Sequence, residues 1–294
     1  MSRIWCFAHF FWLGILLINP STAEDESGFH DIRLISEKNA VSSEDKNAII
    51  AIDIELAPNW KTYWRSPGRL GIPLKFTIID SNNVMDIVPL WPAPNRFVNK
   101  QFPSLSTIGY MDRLILPLRL VLARKGQAVL VVLDVSFSLC NDMCIGAVER
   151  VGITLPIGKP KRTEDAKIMA SWLARVPTKE VLDKFRILAI GNKDRPEELR
   201  VAVCYFGTDT GADIFIEDPA KTSFVAPLDL IESRGAFKLY VAKADPSLGS
   251  NQSGVAPLTG TPITLTFVAH DLIHEHKSTV GLTVPDRNQF CLDK

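Results

Sequence analysis

Short segments in which hydrophobic and polar residues alternate, or in which hydrophobic residues run on, recur along most of the chain. Turn residues separate them, and this pattern predicts β-strands. In the first half the predicted strands are 32–35, 48–56, 74–79, 85–90, 114–122, 128–137 and 149–155. In the second half they are 199–205, 214–216, 237–241, 263–268 and 280–284.

Helical spacing occurs in one region between these two sets of strands. Residues 166–174 carry hydrophobic positions at helical spacing after a polar start, and a further helical turn is predicted over 179–185. Prolines make 89–103 loop-like, and Ser, Gly and Asn make 245–257 a flexible loop. The pattern therefore predicts an all-β protein with two β-sandwich domains at 28–158 and 187–290, joined by a short helical linker at 159–186.

The N-terminus has the pattern of a secretory signal peptide. Arg3 precedes an apolar run over 4–18, Asn19-Pro20 ends the run, and Ser21-Thr22-Ala23 supplies small residues for cleavage. As a helix the run would reach only ~22 Å, less than the ~30 Å of a bilayer core. We expect residues 1–23 to be removed on export, with an uncleaved membrane anchor as the alternative. No later stretch is long and apolar enough to span a membrane, so the mature part should be soluble.

Composition and charge exclude some partners. Hydrophobic residues make up 46% of the 294 residues and charged residues 22%, as in soluble globular proteins. Lys+Arg and Asp+Glu are balanced at 33 each, so no overall charge attracts the chain to nucleic acid or acidic membranes.

The five cysteines indicate disulfide chemistry, because four remain once Cys6 leaves with the signal peptide. Cys140 and Cys144, hereafter the cysteine pair, follow a predicted strand as C-x3-C. In an extended chain they would lie ~13 Å apart, whereas a disulfide needs a Cα separation of ~4.4–6.8 Å. The chain must therefore turn, through Asn141-Asp142 or a single helical turn. Because so small a ring adds little stability, the pair suits chemistry better than stapling, with a local staple as the alternative.

Other residues have structural and functional interpretations. Cys204 and Cys291 are predicted to form a structural disulfide that pins the C-terminus to a strand, with two buried free thiols as the alternative. Three aromatic residues of one segment suit either a docking surface or, more often, a β core: Trp60, Tyr63 and Trp64.

The sequence also contains two groups of residues that could bind a metal, as alternatives to disulfide chemistry. The cysteine pair and Met143 offer soft sulfur ligands for Cu(I), so a copper-binding or copper-delivery module is the second hypothesis. A histidine cluster is read as an exposed hairpin end rather than a metal site: His270, His274 and His276, with Glu275. No phosphate-binding loop, convincing Ser-His-Asp arrangement or H-E-x-x-H motif is present.

Several motifs in order resemble one known family. Leu-Ala-Pro-Asn-Trp-Lys-Thr-Tyr-Trp-Arg-Ser-Pro-Gly at 56–68, Leu-Trp-Pro-Ala-Pro-Asn-Arg-Phe at 90–97, Thr-Ile-Gly-Tyr-Met-Asp at 107–112 and the cysteine pair follow in register. This series resembles the N-terminal periplasmic domain of the thiol:disulfide interchange protein DsbD, in the variant of DsbD-related and suppressor-of-copper-sensitivity proteins. A weaker pattern at 226–227 and 262–265 extends the resemblance into the second domain.

The resemblance implies immunoglobulin-like domains and a periplasmic thiol-disulfide oxidoreductase, like a protein-disulfide reductase, without a cofactor. It implies that Cys144 is the sulfur attacked in a mixed disulfide, that Cys140 is the resolving thiol, and that Phe97 is a shielding cap, with Phe102 as the alternative. The implied partners are thioredoxin-like or other exported thiol proteins and an external electron donor such as a membrane reductase. A role in copper tolerance and a non-redox interaction scaffold are the remaining alternatives.

This sequence departs from the DsbD pattern at the pair and at the cap. DsbD has a longer spacing between its cysteines, and two acidic residues precede its cap Phe, where this chain has Asn95 and Arg96. Arg96 near the pair would lower a thiol pKa, whereas Asp142 would raise it. Residues 1–294 match neither the membrane conduit nor the thioredoxin-like domain of DsbD, so we expect this chain to obtain electrons from an external reductant.

Overall fold

The computed structural model describes residues 28–195, 197–207, 211–218, 224–244 and 258–291. The predicted signal peptide and the predicted loop 245–257 lie outside the described residues. Within the described ranges, no helix has the length and apolar character needed to cross a membrane.

The N-terminal sandwich is built from ten strands followed by a helix. The strands are β1 His30–Ser36, β2 Asn47–Leu56, β3 Lys61–Tyr63, β4 Lys75–Asn82, β5 Val84–Pro89, β6 Asn95–Phe97, β7 Thr107–Met111, β8 Arg113–Leu122, β9 Val129–Cys140 and β10 Cys144–Leu155. One sheet has the order β1-β2-β8-β5, and the other has the order β10-β9-β3-β7-β6, with β4 also paired to β9.

Alternating side chains of both sheets form the core of this sandwich. Ile52, Leu116 and Leu133 have no exposed surface, as expected for the inward-facing positions of packed sheets. Helix α1, Ala166–Leu173, contributes the buried Met169 and Trp172 to the same core. The helix that the sequence predicts as a linker therefore packs on the N-terminal sandwich.

The C-terminal sandwich has seven strands among the described residues and a short final helix. They are β11 Phe185–Gly191, β12 Glu198–Tyr205, β13 Asp213–Glu217, β14 Asp229–Arg234, β15 Phe237–Lys243, β16 Pro262–Val268, β17 Ile273–Thr279 and α2 Arg287–Cys291. Two sheets, β11-β12-β15-β14 and β13-β16-β17, enclose a second core. The prediction of an all-β protein is confirmed.

Two local predictions in the second half are wrong. Residues 179–184 are irregular rather than helical, and β11 begins at Phe185. The last strand of the β13-β16-β17 sheet is Ile273–Thr279, whereas 280–284 contributes only an isolated bridge to Ile190. The strand was missed because its sequence, IHEHKST, is mostly polar.

Ion pairs explain how a carboxylate of this polar strand, in which only His274 and Glu275 are buried, can lie inside the protein. Glu275 of β17 has a side chain that is 5% exposed and binds Lys179 Nζ at 2.8 Å. Its other oxygen accepts a hydrogen bond from Arg65, which follows β3 and also binds Glu217 of β13. Paired with two cations, the carboxylate is buried without leaving an uncompensated charge.

Acid should weaken this contact. Burial raises the pKa of Glu275, but hydrogen bonds from Lys179 and Arg65 outweigh burial and leave the pKa below its ordinary value. A depressed folded-state pKa contributes stability above the unfolded-state pKa and loses it as pH falls, here between about pH 5 and 3. We expect the Tm of the wild type to fall more over this range than that of Glu275→Gln, as measured by thermal unfolding in matched buffers. Parallel curves for the two proteins would contradict this assignment.

Candidate functional site

A tight hairpin brings the cysteine pair together. β9 ends at Cys140 and β10 begins at Cys144, and these residues are register partners with a Cα separation of 4.1 Å. The backbone N–H of Asn141 donates to the carbonyl oxygen of Met143 at 3.0 Å and closes the three-residue loop. The structure joins the two sulfurs as a disulfide. The turn is therefore a hairpin loop rather than a helical turn.

The two sulfur-bearing residues differ in their access to solvent. Cys140 is 2% exposed, whereas Cys144 is exposed. Strand order explains the difference, because β9 lies between β10 and β3 while β10 is the edge of the sheet. The buried Tyr63 hydroxyl also donates to Cys140 Sγ at 2.9 Å and lies 3.9 Å from Cys144 Sγ. An incoming thiolate can therefore reach Cys144 more easily than Cys140.

Strand register places the site on the sheet face that points away from the core. Lys61 of β3 pairs with Cys140, which pairs with Cys144, so the three side chains lie side by side on one face. Tyr63 is two residues from Lys61 and shares that face. Thr62 and Trp64 alternate with these residues and therefore point to the opposite face of the sheet. Trp64 packs there in the core.

A cavity of about 620 Å³ lies over this face. Phe97 of β6 lines it together with the cysteine pair, and Leu70 contributes from the loop after β3. Phe102, the alternative cap, does not line the cavity and is 52% exposed. The remaining lining residues are Lys61, Tyr63, Arg96, Val98, Asn99, Leu105, Thr107 and Asn141.

Lys61 supplies a positive charge in this cavity. Its Nζ donates to Thr107 Oγ1 at 3.1 Å and lies 5.3 Å from the centre of the Phe97 ring. Burial lowers the pKa of Lys61 and raises that of Tyr63, so the Tyr63 hydroxyl remains a proton donor at neutral pH. A half-buried ammonium favours a nearby thiolate over the neutral thiol.

Arg96 does not have the role that its sequence position suggested. Its guanidinium is paired with the Asp213 carboxylate through two contacts of 2.9 Å. Because this ion pair compensates its charge, Arg96 is a weaker influence on the thiol pKa than the sequence indicated. Asp142 is exposed in the hairpin loop between the two cysteines.

The other candidate residues lie elsewhere in the fold. The structure joins Cys204 of β12 to Cys291 of α2 by a disulfide across 87 residues. Trp60 and Trp64 are core residues of the N-terminal sandwich. Met143 is 64% exposed at the hairpin tip. The described ranges contain no group of three or more His, Cys, Asp and Glu residues placed to hold a metal ion.

The interpretation of the histidines as an exposed hairpin end is wrong for two of the three. His270 lies in the turn before β17, but His274 and His276 are within the strand, with ring centres 6.2 Å apart. His274 is 5% exposed and its ring packs edge-on against Phe185 at 4.9 Å. Burial lowers the pKa of both imidazoles in the strand, which favours their neutral forms.

Sequence reasoning did not assign Lys61 a role and read Tyr63 only as a docking or core residue. The signal that identifies them is the period of two along β3, which separates Lys61 and Tyr63 from Trp64. Their approach to the cysteine pair depends on the pairing of β3 with β9, which the local pattern does not reveal.

Comparisons with known proteins agree with this geometry. Residues 32–165 match the family described as "Thiol:disulfide interchange protein DsbD, N-terminal". The fold is similar to the crystal structure of the N-terminal periplasmic domain of ScsB from Proteus mirabilis, with a TM-score of 0.63 and 19% identity over 87% of this chain and 95% of that chain. No curated protein gave a significant match. The resemblance that the motifs predicted is confirmed.

Proposed function

We propose, from the DsbD N-terminal match over residues 32–165, that this chain is an exported thiol–disulfide exchange protein. It passes electron pairs between exported partners through the cysteine pair. The observation that carries this proposal is the asymmetry of the pair, in which an exposed Cys144 is bonded to a buried Cys140. A disulfide that only stabilised the fold would not require one accessible sulfur, nor the Lys61 ammonium and the Tyr63 hydroxyl in the adjacent cavity.

Reduction of the pair begins with attack by a donor thiolate on Cys144 Sγ. The bond between Cys144 and Cys140 breaks, a mixed disulfide forms with the donor, and Cys140 leaves as a thiolate. A second donor thiolate then attacks the donor sulfur of the mixed disulfide and releases Cys144. The donor becomes a disulfide, and this protein gains two electrons and two protons.

Oxidation by an acceptor follows the reverse sequence. The Cys144 thiolate attacks the acceptor disulfide and forms a mixed disulfide, and one acceptor sulfur leaves as a thiolate. Cys140 then attacks Cys144 Sγ and releases the second acceptor sulfur. The acceptor leaves as a dithiol, and the disulfide of this protein is restored.

Two neighbouring side chains stabilise Cys140 when it carries charge. The Tyr63 hydroxyl, already 2.9 Å from Cys140 Sγ, donates to the thiolate as it leaves or attacks. Lys61, the register partner of Cys140 on the same face, supplies a compensating positive charge. Both interactions are stronger with the thiolate than with the disulfide, so they lower the barrier to exchange.

The surface around Cys144 suits docking by another protein. Leu70 and Val98 line the cavity with exposures of 56% and 48%, and the exposed Met143 is beside the pair. Exposed apolar residues around a reactive group are typical of interaction sites. The proposed partners are thioredoxin-like or other exported thiol proteins, and the proposed compartment is the periplasm after cleavage of residues 1–23.

A trapping experiment tests the proposal. The Cys140→Ala variant keeps the attacking thiol and lacks the resolving thiol, so its mixed disulfides should persist. We expect Cys140→Ala to form a covalent adduct, seen on non-reducing gels and removed by a reductant, with exported thioredoxin-like proteins whose second active-site cysteine is replaced and whose remaining thiol is activated as an aromatic disulfide. Neither protein then carries a second thiol that could release the mixed disulfide. The double variant Cys140→Ala/Cys144→Ala is the matched control and should give none. Absence of any adduct across a panel of such proteins would contradict the exchange function.

A further inference from the structure

The guanidinium of Arg96 is almost completely buried and is held by an unusually large number of hydrogen bonds. Its side chain is 4% exposed. Nε and Nη2 each donate to the Asp213 carboxylate, and Nη2 also donates to the carbonyl oxygen of Ile214 at 2.8 Å. Nη1 donates to the carbonyl oxygens of Val225 and Ala226 at 2.6 and 3.1 Å. All five N–H groups of the guanidinium therefore have acceptors.

Every one of these acceptors belongs to the C-terminal sandwich or to the segment between its strands. The guanidinium carbon also lies 4.8 Å from the centre of the Phe215 ring, and that ring packs 5.8 Å from Trp64. Phe215 and Val225 pack in the hydrophobic core of the N-terminal sandwich. The C-terminal sandwich thus closes one end of the N-terminal core at Arg96.

Arg96 is adjacent to the cap residue on a strand that has little support of its own. β6 has three residues and lies at the edge of its sheet, where β7 is its one partner among the described strands. Short edge strands open readily because few hydrogen bonds and contacts hold them. Phe97 lines the cysteine cavity and its ring centre lies 5.3 Å from Lys61 Nζ. Arg96 also borders that cavity, but it belongs to the opposite period and its guanidinium is bound by the C-terminal sandwich.

We propose that the C-terminal sandwich positions the redox site, because Asp213 holds Arg96 and thereby holds Phe97 over the cysteine pair. The pair formed by Arg96 and Asp213 is hereafter the Arg96 clamp. The proposal assigns the second sandwich a role in controlling which thiols reach Cys144. The biological role of the clamp rests on the proposed exchange function. The experiment that tests the clamp does not require that function.

The experiment measures how fast reduced glutathione opens the Cys140–Cys144 disulfide. Asp213→Asn keeps the size of the side chain and removes the charge that holds the clamp. We expect the second-order rate constant to rise at least about fivefold in Asp213→Asn, since a small thiol gains access when the cap strand opens. Alkylation after timed quenching, followed by mass spectrometry of the peptide containing the pair, reports the rate.

Two control variants separate positioning from charge and from general loss of stability. Asp229→Asn removes a carboxylate of the same sandwich that pairs with Lys243 on the exposed surface. Val203→Ala creates a cavity at a fully buried position of β12, away from the clamp. We expect both to react within about twofold of the wild type, because neither touches Phe97.

A double-variant cycle then tests the route through the cap. Phe97→Ala should itself accelerate reduction by glutathione, and adding Asp213→Asn to it should give no further increase, since the cap is already absent. An unchanged rate in Asp213→Asn, or full additivity with Phe97→Ala, would overturn the clamp proposal. These outcomes use glutathione alone, so they are independent of whether protein partners are trapped on Cys144.

Discussion

The Cys144 thiol of the Cys140→Ala variant is expected to react about 100-fold or more faster with an aromatic disulfide reagent than the Cys140 thiol of Cys144→Ala. The reason is geometric. Cys144 begins an edge strand and is exposed, whereas Cys140 is 2% exposed between two neighbouring strands and under Tyr63. Exchange needs an approach along the line of the S–S bond, which the buried position does not permit.

Stopped-flow absorbance of the released aromatic thiolate measures both rates. The same measurement in denaturant is the internal control, because the two thiols should then react at similar rates. Folded-state rates within about threefold of each other would show that burial does not distinguish the sulfurs. In that case the assignment of Cys144 as the attacked sulfur would fail, even if exchange itself were observed.

Gly109→Val is expected to destabilise the N-terminal sandwich by more than about 4 kcal/mol or to prevent folding. Gly109 of β7 pairs with Tyr63 on one side and Asn95 on the other. A Cβ at this position would lie 2.0 Å from the carbonyl oxygen of Thr62 and 3.0 Å from the Cα of Tyr63. These are backbone atoms of β3, so relief of the clash requires the strand that carries Lys61 and Tyr63 to move.

Chemical denaturation monitored by tryptophan fluorescence measures this loss. Gly146→Val is the matched control, because Gly146 also lies in a strand of this sheet but has no heavy atom within 4 Å of an added Cβ. We expect it to change the unfolding free energy by less than about 1 kcal/mol, since Val is favoured in strands. Equal stabilities of the two variants would contradict the close approach at Gly109.

Local patterns predicted many of the strands because their hydrophobic residues alternate with polar ones or form short continuous runs, and both patterns are typical of buried strands. The prediction 48–56 corresponds to Asn47–Leu56, and 114–122 corresponds to Arg113–Leu122. The helix over 166–174 is found at Ala166–Leu173. The two strands are buried along continuous hydrophobic runs, whereas the helix buries residues at helical spacing, so local sequence was sufficient in each case.

The failures come from residues whose environment is supplied by distant parts of the chain. The polar segment β17 is a strand because it pairs with β16, and its Glu275 can be buried because Arg65 and Lys179 neutralise it from outside that sheet. Arg96 is drawn to Asp213, 117 residues away, instead of standing beside the thiols. A pattern confined to one segment carries no information about such partners.

The amino-acid sequence alone predicted that this protein is all-β and that two cysteines meet at a strand end. It also predicted that Phe97 lies in a segment resembling the cap loop of the DsbD N-terminal domain. Those features depend on near neighbours and on motif spacing. Only the tertiary structure decided which sulfur is accessible, that Tyr63 and Lys61 face the pair, and that Asp213 binds Arg96 next to Phe97. Burial and charge pairing are set by strand order and by contact between the sandwiches, and both are long-range properties of the fold.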